Sequence, residues 1–205
     1  MVDSHLRPRT SPVKAPLAVL LTLVAAGCSH GADAPATHPK TILVIRHAEK
    51  PEAEADVGLS PAGKKRAEAL PHLFEKSAAR PDPFPTPDFI FAARASKHSD
   101  RPVATVTPLA KKLKLDVNAD YPNEDYPKLV RELFSDPKYG GKTVLICWHH
   151  GSIPELASKL GAADVPEKWK DQVFDRVWVV TFDDKGNAKA LAKKHQALGP
   201  GDEKE

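Results

Sequence analysis

From position 41 onward, short hydrophobic runs alternate with amphipathic stretches. The run TILVI (Thr41 to Ile45) suits a buried strand, as does DFIFAA (Asp88 to Ala93). KTVLICW (Lys142 to Trp148) is the clearest buried strand, with Gly140-Gly141 as a turn before it. Between these runs lie helical patterns. Ser60-Pro61 predicts a helix start, with serine as N-cap and proline at the first helical position, and Pro71 should kink or interrupt that helix. RPVATVTPLAKKLKL (Arg101 to Leu115) predicts a helix from near Pro102 that bends or restarts at Pro108. YPKLVRELF (Tyr126 to Phe134) and SIPELASKLG (Ser152 to Gly161) predict two more, the second with Ser152 as N-cap and Gly161 as stop. RVWVVTFDDKGNAKALAKK then predicts a hairpin. This alternation implies an α/β domain, a three-layer α/β/α sandwich whose mostly parallel sheet carries an antiparallel edge.

The chain before position 41 reads differently. Arg7, Arg9 and Lys14 precede the apolar run Pro16 to Gly27, which has the length of a signal-peptide core rather than of a bilayer span. It ends on Ala25-Ala26-Gly27-Cys28, and small residues directly before a cysteine resemble a bacterial lipobox. Residues 1–28 are therefore expected to be a signal peptide with Cys28 as lipidation site, an ordinary secretory signal being the other reading. Residues 29–40 follow as a flexible tether, 41–196 as the domain and 197–205 as a solvated tail. Either reading of the leader places the mature domain outside the cytoplasm, as a membrane-anchored lipoprotein facing the periplasm or cell exterior, or as a secreted protein.

Composition removes other options. The chain is 41% hydrophobic and 28% charged, as expected of one globular domain, and its formal charge of +3 is spread without a dense basic block. Nucleic acid is not an expected partner. The two cysteines, Cys28 and Cys147, divide between leader and buried strand, which argues against a disulfide framework.

The candidate chemistry sits where strands end. TILVI runs into Arg46-His47, TVLICW into His149-His150, and Arg101 heads the helix after DFIFAA. In open α/β sheets ligands bind beyond the carboxyl ends of the strands, so these junctions deliver cations and imidazoles to one edge. Arginine forks onto phosphate oxygens, and neutral imidazole is a nucleophile toward phosphorus. The chain offers no Gly-rich phosphate loop, no aspartate cluster at metal-ligand spacing and no GxSxG. No metal and no cofactor is expected; adjacent histidines rarely share one ion.

RHAEKP (46–51) with LSPAGKKRAEAL (59–70), SDRPVATVTPLA (99–110) and VLICWHHGSIPELASKLG (144–161) together resemble the histidine phosphatase (phosphoglycerate mutase-like) superfamily. That resemblance implies His47 as nucleophile through a phosphohistidine, with Arg46 and Arg101 as clamps on the phosphoryl oxygens. A second histidine would donate a hydrogen bond to the same group. Strand length favours His149, whereas alignment on Cys-Trp-x-His-Gly favours His150, the preferred choice. Ala48 stands where that family usually has glycine, which the backbone tolerates if its φ stays negative. The resemblance also implies a carboxylic acid between Arg101 and the second histidine: Glu124 is the candidate, with Asp125 beside it. Arg94, Lys50 and Ser152 are candidate substrate-binding residues.

The expected activity is hydrolysis of a small phosphomonoester without metal. A non-catalytic phosphate-binding lipoprotein is the other class, and a phosphomutase a third, disfavoured because export removes the glycolytic substrate and no long insertion could enclose an intermediate.

Overall fold

The computed structural model describes residues 1–2, 37–52, 56–199 and 202. Its contacts divide the chain into a unit Met1–Asp33 and a unit Ala34–Glu205. The leader, Cys28 and most of the tether lie outside the described residues. Among the described residues no helix is long and apolar enough to cross a membrane.

Six strands form one sheet in the order β3-β2-β4-β1-β5-β6. β1 (Thr41–Arg46) pairs in parallel with β4 (Thr143–Trp148), and β2 (Phe89–Ala92) pairs in parallel with β4 and with β3 (Val117–Asn118). β5 (Arg176–Phe182) runs antiparallel to β1, and β6 (Ala188–His195) antiparallel to β5. The expected mostly parallel sheet with an antiparallel edge is present. Only the two-residue β3 has no pattern of its own in the sequence, being too short for a period to show.

Side-chain alternation along the central strands fills two cores. Leu43, Ile45, Leu145, Cys147, Ile90 and Ala92 face Val106, Leu109 and Ala110 of α2 (Arg101–Leu113), together with Leu70 and Leu73. Ile42, Val44, Val144, Ile146 and Phe91 face Leu129 and Leu133 of α3 (Tyr126–Ser135) and Ile153 and Leu156 of α4 (Ile153–Lys159). Every one of these side chains is about fully buried, and each of the larger ones contributes roughly 1.5–3 kcal/mol relative to exposure. The three layers follow from this two-sided burial.

Helix ends conform to the expected signals with two exceptions. Ser60 caps α1 (Pro61–Ala69) through its hydroxyl, which accepts from the Gly63 N–H at 3.0 Å. At Pro71 the helix gives way to a 3-10 turn over Leu70–Phe74. Pro108, however, does not restart α2, which continues through it as one helix. The missing hydrogen bond is outweighed by the apolar face on which Val106, Leu109 and Ala110 are buried. Ser152 holds the N-cap position of α4, but its side chain makes no capping bond. Its backbone N–H instead donates to the His149 carbonyl at 3.0 Å, closing a tight turn after β4.

α1 crosses the turn after β1 closely. A Cβ added at Gly63 would stand 2.4 Å from the Glu49 carbonyl oxygen and 3.0 Å from its nitrogen. Gly63→Ala should therefore cost roughly 1–3 kcal/mol, as overpacking does. Urea denaturation checks this, and a variant as stable as the parent contradicts the close approach.

Candidate active site

β1 and β4 pair in register from Thr41↔Thr143 to Arg46↔Trp148. His47 and His149 are thus equivalent residues at the ends of neighbouring strands. The His47 N–H continues the ladder by donating to the Trp148 carbonyl at 3.1 Å. Their rings meet edge to face, 5.3 Å between centroids at 69°. His149 lies against His47, as equal strand length suggests, whereas the preferred His150 does not. His150 occupies the rim, with Nε2 3.1 Å from Asp171 Oδ1 and its side chain 34% exposed.

His47 is 3% exposed, and one hydrogen bond orients its ring. Nδ1 lies 2.7 Å from the carbonyl oxygen of Ala48. A carbonyl only accepts, so Nδ1 carries the proton and Nε2 keeps its lone pair. Ala48 has negative φ, as its place after the strand requires. Its N–H donates at 2.9 Å to Thr105 Oγ1, and that hydroxyl donates at 2.8 Å to the Arg101 carbonyl. One threonine, four residues into α2, thereby ties the turn bearing the imidazole to the helix end bearing the second arginine.

Both arginines are held by carbonyls. Arg46 is 2% exposed, and its Nη1 donates to the carbonyls of Asp171 at 2.6 Å and Val173 at 3.2 Å. Its guanidinium carbon stacks 3.8 Å from the Phe174 ring centroid. Arg101 Nη1 donates to the carbonyls of Asp56 at 3.0 Å and Val57 at 3.2 Å. The Nε atoms of both are buried without partners. Carbonyl partners orient each guanidinium, while nearby carboxylates, Asp171 and Glu49 for Arg46 and Asp100 for Arg101, act on it through their charge.

That environment sets the imidazoles. Burial first, then Arg46, His149 and Arg101, lower His47 to a pKa of about 3 against the pull of its Ala48 hydrogen bond. Burial, then Arg101, His150 and Arg46, lower His149 to about 4. Burial lowers Arg46 to about 10, so it stays cationic at neutral pH. Near neutrality the site is two neutral imidazoles between two cations, suited to an incoming dianion.

The remaining candidates are peripheral. Glu124 is exposed on the turn Asn123–Asp125, which Trp148 fixes by donating from Nε1 to the Asn123 carbonyl at 3.0 Å. Asp125 instead pairs with Lys128 at 2.5 Å. Arg94 is exposed and donates to the Asp120 carbonyl, fastening the loop before that turn. Lys50 is exposed, and its charge acts on His150, at the same rim. Ser152 is half-buried in the turn after His150. Cys147 is fully buried, and burial pushes its thiol upward, away from any nucleophilic role. Asp171, Val173 and Phe174, which cradle Arg46, sit in a loop with no motif, so nothing in the sequence marks them. Among the described residues no group of three or more His, Cys, Asp or Glu is placed to hold a metal ion.

No family model and no curated protein sequence matches the chain. Solved structures do. The protein histidine phosphatase SixA complexed with tungstate superposes with a TM-score of 0.56 at 14% identity, over 76% of this chain and 97% of that one. The chain has the histidine phosphatase fold. A mycobacterial glucosyl-3-phosphoglycerate phosphatase complexed with inorganic phosphate matches with TM-score 0.52 at 13% identity, covering 76% of this chain and 95% of that one. The Plasmodium falciparum phosphoglycerate mutase matches with TM-score 0.52 at 14% identity, over 80% and 94% of the two chains. The phosphoglycerate mutase-like architecture expected from the three motif segments is therefore present.

The depressed imidazoles carry a stability signature. Unfolded histidine takes up its proton near pH 6.5, whereas His47 and His149 resist until about 3 and about 4. Their contribution to folding is complete above the unfolded value and is lost as pH falls through the folded ones. The urea midpoint should thus drop between about pH 7 and pH 4, and less steeply in His47→Gln. Equal slopes for parent and variant would show that His47 is not held neutral.

Proposed function

We propose that the protein is a phosphatase that hydrolyses phosphomonoesters through a phosphohistidine on His47, without metal. The observation carrying this is the His47 tautomer: Nδ1–H is fixed on the Ala48 carbonyl, so Nε2 is left as nucleophile beside two guanidinium groups that backbone carbonyls orient. The tungstate and phosphate bound by fold relatives favour an anionic occupant.

Nε2 attacks phosphorus in line, forming a P–N bond as the ester P–O bond breaks. Arg46 and Arg101 stabilise charge on the non-bridging oxygens, and the neutral His149 donates its single N–H to one of them. The departing alkoxide takes a proton from Glu124, whose turn is held beside the end of β4. Water then gives a proton to the Glu124 carboxylate and attacks phosphorus as the P–N bond breaks, releasing inorganic phosphate and restoring His47 and Glu124. We extend the proposal to an exported, Cys28-anchored lipoprotein acting on small phosphorylated substrates. Loss of membrane retention in Cys28→Ser is its test.

Hydrolysis of an aryl phosphate with EDTA present should proceed in the wild type and vanish in His47→Ala. Activity surviving in that variant removes His47 as nucleophile, and an inert wild type leaves an anion-binding protein. His149→Ala should lower kcat by about 10²–10³, as removal of a transition-state donor does. His150→Ala should cost less than about tenfold, because the rim pair with Asp171 only orients. The reverse ranking would restore His150 as the phosphoryl contact.

A further inference from the structure

Arg66 of α1 gathers acceptors from separated segments, although its side chain is only 11% exposed. Nε donates to Glu49 Oε1 at 2.9 Å. Nη1 and Nη2 fork onto the two carboxylate oxygens of Asp202 at 2.9 and 2.6 Å, and Nη1 also donates to Gln196 Oε1 at 3.3 Å. Asp202 falls in the segment expected to be a solvated tail; instead its side chain is 4% exposed. Its Oδ2 accepts from the N–H groups of Leu198 at 2.7 Å and Gly199 at 3.2 Å. A carboxylate with this many donors is a built anchor.

The far end of the network reaches the nucleophile turn. Glu49 is the second residue after His47, and its carbonyl accepts from the Ser60 N–H at 3.0 Å. Its Oε2 is buried without a partner, and its charge acts on Arg46. The backbone carbonyl that fixes the His47 tautomer belongs to Ala48, directly between them. A guanidinium held by Glu49 alone could swing about that contact. The fork on Asp202 fixes its plane, and with it the carboxylate of Glu49.

We propose that Arg66 is a positioning residue for the His47–Glu49 turn and that Asp202, beyond β6, sets it. The segment after the last strand thereby governs the alignment of the nucleophile. This rests on His47 being the nucleophile, and it adds a residue triad, Glu49–Arg66–Asp202, that the phosphoryl site itself does not contain.

The test compares wild type, Asp202→Asn, Glu49→Gln and the double variant in two readouts. The first is kcat and KM on an aryl phosphate. Asp202→Asn should lower kcat by on the order of tenfold while KM moves less than about twofold, since misalignment affects the reacting geometry. The double variant should be no worse than the more damaged single one, because both cut the same link. The second readout is the nitrogen NMR signature of the His47 ring, which needs no turnover. Wild type should show the proton on Nδ1, and Asp202→Asn a mixture of tautomers. A wild-type kcat and ring spectrum in Asp202→Asn, with only the melting point lowered, overturns the proposal. So do multiplicative kcat losses in the double variant. If wild type is inert toward the aryl phosphate, the phosphatase reading fails, and the ring spectrum alone then decides the positioning role. Arg66→Lys, which keeps the charge but not the fork, should resemble Asp202→Asn; full activity in it also overturns the proposal.

Discussion

The parallel pairing of β1 with β4, held in one register from Thr41↔Thr143 to Arg46↔Trp148, is the constraint on which the site depends. Side chains alternate with a period of two, so a slip of one residue would exchange the two cores and send His47 or His149 to the wrong face. Ile42, Val44, Val144 and Ile146 on one side and Leu43, Ile45, Leu145 and Cys147 on the other make such a slip expensive. The hydrogen bond from the His47 N–H to the Trp148 carbonyl extends the ladder one step past the strand. The imidazole pair is thus a by-product of core packing, and its geometry is as rigid as the sheet.

The arginines depend on the opposite kind of structure. Arg46 is gripped by carbonyls of the 171–173 segment and Arg101 by those of Asp56 and Val57. Loops supply these acceptors because carbonyls inside strands and helices are already paired. A carboxylate paired directly to either guanidinium would weaken its pull on a phosphoryl group more than a carbonyl does. Rigid strands aim the nucleophile while loops hold the charge.

This division explains what is legible in the sequence. Strands and helices announce themselves by period and cap, and the three junctions bearing Arg46-His47, Arg101 and His149-His150 fall on one edge by topology alone. That His149 rather than His150 lies beside His47 requires the register, which equal strand length suggests and motif alignment obscures. Pro108 reads as a restart only while the local signal is weighed without the apolar face of α2, along which the helix continues. Asp202, the carbonyl cradle and Phe174 are invisible for a shared reason. Their partners lie far away in sequence, and nothing in local composition distinguishes an anchored aspartate from a solvated one.

Cys147 lies at the heart of the same strand pair, fully buried, one residue before Trp148. Oxidants and thiol reagents reach it only when β1, β2 and β4 part, because both neighbouring strands and α2 cover the sulfur. An oxidant would therefore spare this thiol in the folded protein yet mark it in every molecule that opens, so that its covalent ageing would record how often the sheet has come apart.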